Sequence, residues 1–334
     1  MNDHSASYNG KESGCSDRFE AFFGEKWGYI DSTGRTAIPP EFDYALPFSE
    51  GRGRVRRGDH HGFIDAEGRV VVEPTLDWAY DFSEGLAAVE VRGKWGFVDR
   101  DGQVAIDLIF EGAEPFSEGY AAVKVGGKRG FIDRTGAWVI QPRFGTLIGS
   151  FRQGLAPVQE DDGPMFYVDS TGARAFDLTF STCEDFSEDL AVVNPERSKS
   201  GFIDRTGKMV IPPQFDEAYE FTGGLAIVYV SEKAAFITPD GTLAIPTWFD
   251  QAEDFSDGLA LVLTETGWQF IDQAGTTVLQ PECEAATSFW CGLATILRDG
   301  RWRYISKAGD EIWREPVHRD DAVLPRRRKT DASS

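Results

Sequence analysis

The sequence predicts an all-β fold of tandem units of about 34 residues, and three observations carry that expectation. A glycine closes a short turn after an aromatic, apolar run nine times, at Gly34, Gly68, Gly102, Gly136, Gly172, Gly207, Gly241, Gly275 and Gly309, in steps of 34, 34, 34, 36, 35, 34, 34 and 34 residues. Self-similarity at such a period means stacked or radially arranged units, none able to bury its apolar face alone. The 334 residues include 36 Gly, 25 Phe and 9 Trp, which suits short strands, tight turns and an aromatic core. The array runs unbroken from Asp17 to Trp313, so one continuous structure is expected rather than two ordinary domains.

The third unit shows the elements in order. Phe82-Ser83-Glu84-Gly85 opens it, Leu86 to Val91 is a strand, Arg92-Gly93-Lys94 turns, Trp95 to Asp99 is a second strand, and Arg100-Asp101-Gly102 leads into a third at Gln103 to Ile106. This reads as a β-meander with a Gly-containing first turn and an Asp-x-x-Gly second turn. The counterparts of Asp99 are Asp31, Asp65, Asp133, Asp169, Asp204, Asp272, Thr238 and Ser306. All three residue types accept a hydrogen bond from a backbone N–H two residues on, so the pattern argues for turn capping rather than catalysis or metal binding. Asp99-Arg100-Asp101-Gly102 lacks the third carboxylate and distal Glu of a calcium loop. Between units a phenylalanine recurs, at Phe48, Phe82, Phe116, Phe151, Phe186, Phe221, Phe255 and Phe289, as an inter-unit hydrophobic plug requires.

The motifs F-S-E-G-L-A-x-V, K-W-G-F-I-D-x-x-G and V-I-x-P-x-F together resemble the bacterial WG repeat, also called the KWG repeat. Lys26-Trp27-Gly28-Tyr29-Ile30-Asp31 and Lys94-Trp95-Gly96-Phe97-Val98-Asp99 match its naming motif, and the resemblance covers nearly the whole array. It implies a binding scaffold and offers no catalytic residues to transfer. The Trp-Gly pair is His61-Gly62, Arg129-Gly130, Met165-Phe166, Ser200-Gly201, Ala234-Ala235, Trp268-Gln269 and Trp302-Arg303 elsewhere. The strand is expected to survive while its first side chain drifts.

Short strands with a radial period predict a propeller-like array, closed or nearly closed, with an open β-superhelix or solenoid as the competitor. Eight Phe junctions and nine Asp-x-x-Gly-type turns leave a partial unit, which would close a ring through a shared blade or cap an open stack. The boundaries read as a polar, disordered tail at 1–17, the repeat domain at 18–314, and a tail at 315–334 carrying Pro325-Arg326-Arg327-Arg328-Lys329.

The 55 acidic and 34 basic residues give a net charge of −21, a field that repels nucleic acid and anionic membranes and favours a basic protein partner. Met1 to Arg18 has no apolar core of a signal peptide, and no run is long enough to span a membrane, so a cytoplasmic monomer is expected. Cys15, Cys183, Cys283 and Cys291 show no C-x-x-C spacing and read as free thiols. His4, His60, His61 and His318 form no catalytic motif, and no phosphate or dinucleotide loop is present. No enzyme activity, cofactor or metal is expected.

Binding surfaces are better marked. The Phe-Ser-Glu-Gly junction places Glu50, Glu84, Glu118, Gln153, Glu188, Gly223, Asp257 and Cys291 at one equivalent spot per unit, so the carboxylates are expected to form a stripe on one face. Asp81, Asp185, Glu220 and Asp254 run beside them, just before the Phe. The single two-residue expansion lies by Gln159-Glu160-Asp161-Asp162-Gly163-Pro164, and Asn194 to Lys199 forms a second irregular hairpin. Irregular loops on a regular scaffold serve recognition, which nominates Glu160, Asp161 and Asp162. The expectation is a non-enzymatic protein-binding scaffold, in its concrete form an acidic immunity or inhibitor protein that neutralises a basic secreted toxin such as a nuclease. A general interaction scaffold or sensor and a carbohydrate or small-ligand module are the alternatives. Tryptophan at Trp27, Trp95, Trp268 and Trp302 but not at the other equivalents counts against one ligand site per repeat.

Overall fold

A computed structural model describes residues 16–145 and 148–316. All of the two expected tails except 16–17 and 315–316 lies outside those residues. The described chain forms nine antiparallel sheets in succession. In the third, strands Trp78–Ala79, Leu86–Val91, Lys94–Asp99 and Val104–Phe110 lie side by side in chain order. Arg92 and Gly93 join the middle pair with φ of 53° and 74°, the left-handed pair that matches strand twist in a two-residue hairpin. At the next turn the Asp99 carboxylate accepts from the N–H groups of Asp101 and Gln103, both at 2.9 Å. Asp133 and Asp204 cap their turns identically, and the Thr135 and Thr206 hydroxyls, with those N–H groups, hold their carboxyls below the usual range.

The naming glycine has a steric task. The register of the last two strands lets Ile106 to Phe110 oppose only Phe97 to Trp95, so the final strand bulges over Gly96. A Cβ on Gly96 would stand 2.6 Å from the Ile106 carbonyl oxygen, and Gly28, Gly62, Gly130 and Gly201 meet the same obstacle at 2.4 to 2.6 Å. In those five sheets the final strand keeps seven residues: Thr36–Phe42, Val70–Leu76, Val104–Phe110, Trp138–Phe144 and Met209–Phe215. Phe166 and Ala235 replace the glycine in the fifth and seventh sheets, where the final strand gives way to single bridges. Gln269 and Arg303 replace it in the eighth and ninth, where the strand shortens to Thr277–Leu279 and Glu311–Arg314.

Junction phenylalanines plug the seams as expected. Phe82 packs on Phe63 and Phe116 on Phe97, each with ring centroids 4.8 Å apart, and Phe289 packs on Phe270 at 4.6 Å. Each Asp-x-x-Gly turn also seats on the preceding sheet: Gly68 on Ile38, Gly102 on Val71, Gly136 on Ile106, and so on to Gly309 on Leu279. Gly34, in the first sheet, seats on Ile312 in the ninth, so the array is a closed propeller. At that seam Phe19 meets Tyr304 edge-on at 5.7 Å, Phe23 meets Trp313, and the Tyr304 hydroxyl donates to the Glu20 carbonyl at 2.8 Å. The partial first unit therefore neither shares a blade nor caps a stack. Its strands Phe19–Phe22, Trp27–Ile30 and Thr36–Phe42 form a sheet of their own, and side-chain packing closes the ring.

The closed seam also corrects the reading of four free thiols. Cys183 and Cys283 are free, but Cys291 is disulfide-bonded; Cys15 lies outside the described residues. Cys291 belongs to the apolar cluster of Phe19, Phe23 and Tyr304, where the two ends of the array meet, a proximity that Cys spacing does not encode.

A candidate protein-binding face

Glu50, Glu84, Glu118, Glu188 and Asp257 do occupy one equivalent place per unit, at the first residue of a tight turn with φ between 49° and 53°. From there each side chain reaches the next unit. Glu50 accepts from the Gly85 N–H at 2.8 Å and Glu84 from Gly119 at 2.9 Å. Glu118 accepts from Gln153 and Gly154 at 2.5 and 2.8 Å, Glu188 from Gly223 and Gly224 at 2.8 Å each, and Asp257 from Gly292 at 2.5 Å. Gln153, with an amide oxygen only, takes the Asp189 N–H at 2.9 Å. The preceding serines add a parallel link: Ser49, Ser83, Ser117 and Ser187 donate to the carbonyls of Phe82, Phe116, Phe151 and Phe221 at 2.7 to 2.8 Å. The expected stripe is thus a belt that ties turn to turn, with both carboxylate oxygens of Glu118 and Glu188 and one each of Glu50, Glu84 and Asp257 accepting from backbone donors.

The expanded loop lies elsewhere. Asp161 pairs with Lys128 of the fourth sheet, Glu160 stands 3.7 Å from Arg143, and Asp162 is exposed.

A third acidic group, on the residues just before the junction Phe, is concentrated in consecutive units. Arg152 of the fifth sheet stands 3.4 Å from the Asp185 carboxylate in the sixth and 2.8 Å from Glu220 in the seventh. Sheets two apart in a ring of nine meet only near its axis, which locates these side chains at the axial end of the blades. Burial, opposed by Arg152 and reinforced by Glu184 and Glu220, pushes Asp185 up to about 6. Asp254, in the eighth sheet, is likewise pushed up to about 6 by its enclosed setting and by Glu220 and Glu253, although water reaches it. Glu184 is raised by burial and by Glu220. The sixth to eighth sheets therefore hold carboxylates that repel one another, with Arg152 as their cationic neighbour. At the second sheet burial, with Arg54 and Arg56 and against Asp81, presses His61 down to about 4, and Arg54 pairs with Asp81 at 2.8 Å. Asp185, Glu220 and Asp254 were visible in sequence beside each Phe; that they meet across two units was not.

A closed ring of tandem β-meanders, joined by side-chain belts and carrying an acidic axial patch, defines a β-propeller of the repeat-scaffold class. Seven segments match the WG containing repeat, residues 27–59, 62–95, 95–128, 130–163, 201–233, 236–265 and 268–302, and the chain belongs to that family. No curated protein matches by sequence. Among solved structures, a eukaryotic initiation factor is 11% identical with a TM-score of 0.63, covering 90% of this chain and 96% of its own. BamB from Moraxella catarrhalis is 13% identical with a TM-score of 0.46, covering 75% and 96%, and the computationally designed Ika8 protein is 13% identical with a TM-score of 0.48, covering 80% and 93%. At such identities the initiation factor's likeness concerns the fold alone.

Proposed function

We propose that this chain is a non-enzymatic binding scaffold whose acidic axial patch takes a basic protein, and that it acts as an immunity or inhibitor protein for a basic secreted toxin such as a nuclease. The observation that carries the reading is the grouping of Glu184, Asp185, Glu220, Glu253 and Asp254 on three adjacent sheets about Arg152, where burial first and neighbouring carboxylates second lift Glu184, Asp185 and Asp254. A cationic partner adds to the neutralisation that Arg152 supplies to Asp185 and Glu220, and so is favoured on docking. A nuclease presents a positive cleft to phosphate, and an acidic cap is its electrostatic complement. The net charge of −21 adds long-range steering. Affinity capture from the native host at low and raised salt tests the reading. One stoichiometric basic protein released by salt supports it, while many substoichiometric partners or none would replace it with a general scaffold or sensor.

A further inference from the structure

An open cavity of about 700 Å³ lies between the seventh and eighth sheets, where the side chains differ from those of the third unit. In the third sheet Tyr80 packs on Trp95, the naming tryptophan, with centroids 5.6 Å apart. The same two positions in the seventh sheet are Tyr219 and Ala234. With no indole to lie on, Tyr219 is 48% exposed and turns its ring to Tyr229, 6.1 Å away at 64°. Trp268, a naming tryptophan that the eighth sheet does retain, lines the same cavity. Three aromatic rings therefore border one space.

Carboxylates surround those rings. Glu217, Glu232 and Glu253 line the cavity. The Tyr219 hydroxyl lies 3.4 Å from Glu217, while Glu253 also accepts from the Ser288 hydroxyl at 2.6 Å. Glu232 sits at the hairpin tip with φ of 64°. Asp250, also in the lining, is paired with Lys233 at 2.5 Å, and no cationic side chain is among the lining residues. The Tyr219 phenol is raised by its partial burial and by Glu217, as expected where negative charge outweighs positive.

Aromatic faces attract a cation through their quadrupole, and nearby carboxylates add a direct charge. We infer that this cavity binds an organic cation, an ammonium or guanidinium group on an alkyl stem, through Tyr219, Tyr229 and Trp268 with Glu217 at its rim. The inference does not require the proposed toxin partner, although Glu253 belongs to both the cavity and the acidic patch, because the site recognises the cation whether free or carried on a protein.

The test is an NMR titration of the full chain, following the Trp268 indole N–H, with Nα-acetyl-lysine amide, Nα-acetyl-arginine amide and tetramethylammonium, and with neutral Nα-acetyl-norleucine amide as control. The cations are expected to give saturable shifts with Kd on the order of 1–10 mM, and the norleucine amide none. Tyr219→Ala, followed through the same indole, is expected to weaken binding about five-fold, and Glu217→Gln about two-fold with the fold intact. A preference for the lysine or arginine amide would assign the site to a protein-borne cation; a preference for tetramethylammonium would assign it to a free small ammonium. Equal response to the norleucine amide, or unchanged affinity in both folded variants, would overturn the inference.

Discussion

Glu188 offers the sharpest test of the carboxylate belt. Its two oxygens accept from the N–H groups of Gly223 and Gly224, both at 2.8 Å, so Glu188→Ala removes both bonds and leaves two turn amides to water. A hydrogen bond to a charged group contributes about 1.5–3 kcal/mol when well shielded. Because Glu188 is exposed, solvent screening reduces the pair to about 1–2 kcal/mol in total. Glu188→Gln should lose about half of that, since an amide keeps one acceptor, as Gln153 does with the Asp189 N–H. Asp162→Ala, on the exposed expanded loop, serves as the control and should stay within about 0.5 kcal/mol of the parent. Urea unfolding followed by tryptophan fluorescence, with m-values compared across the variants, measures all three. The order parent, Gln, Ala from most to least stable is expected. A Glu188→Ala protein as stable as the Asp162→Ala control would refute the structural role of the belt and return these carboxylates to the pool of free contact residues.

Three further outcomes follow from the geometry. Gly96→Ala drives a Cβ to 2.6 Å from the Ile106 carbonyl oxygen and should cost about 1–3 kcal/mol in the same assay, with a weakened final strand visible as faster amide exchange at Val104 to Phe110. Asp254 has a folded pKa of about 6 against an ordinary 3.8, so the native state holds its proton more tightly. Its charged form therefore costs stability above pH 6, and the cost fades as pH falls toward 3.8. Asp254→Asn should gain about 1 kcal/mol at pH 7 after discounting for its exposure, and nothing at pH 4, as measured by urea midpoints across that range. Thiol labelling of denatured, unreduced protein, read by peptide mapping, should mark Cys183 and Cys283 and leave Cys291 unlabelled until reduction. Labelling of Cys291 before reduction would show that its disulfide is absent, as in protein held in a reducing compartment.

Much of the scaffold is legible in the sequence because its determinants are local. The Asp99-type caps act over two to four residues, and the Phe82-type plugs recur at every junction, so spacing alone exposes them. What it hides are relations between units. The glycine of Trp95-Gly96 reads as a motif letter until the bulge of Asp107 to Ile109 passes over it. Glu118 and Glu188 read as free surface charge because their amide partners lie 35 or 36 residues away. The axial patch needs contacts across two units, such as Arg152 to Glu220 at 68 residues' separation, and follows only from ring closure. The aromatic cavity depends on an absence, Ala234 where the third unit carries Trp95, which gains meaning once Tyr219 is seen without the indole that Tyr80 packs on.

The central claim, that the axial acids rather than the belt acids receive a basic partner, is tested most directly by parallel affinity capture with two triple variants. One is Asp185→Asn with Glu220→Gln and Asp254→Asn; the other is Glu50→Gln with Glu84→Gln and Glu118→Gln, and both remove the same formal charge. The axial variant is expected to lose the stoichiometric basic protein that the parent captures, while the belt variant, though less stable, keeps it. Loss with the belt variant and retention with the axial one would place the partner on the belt instead.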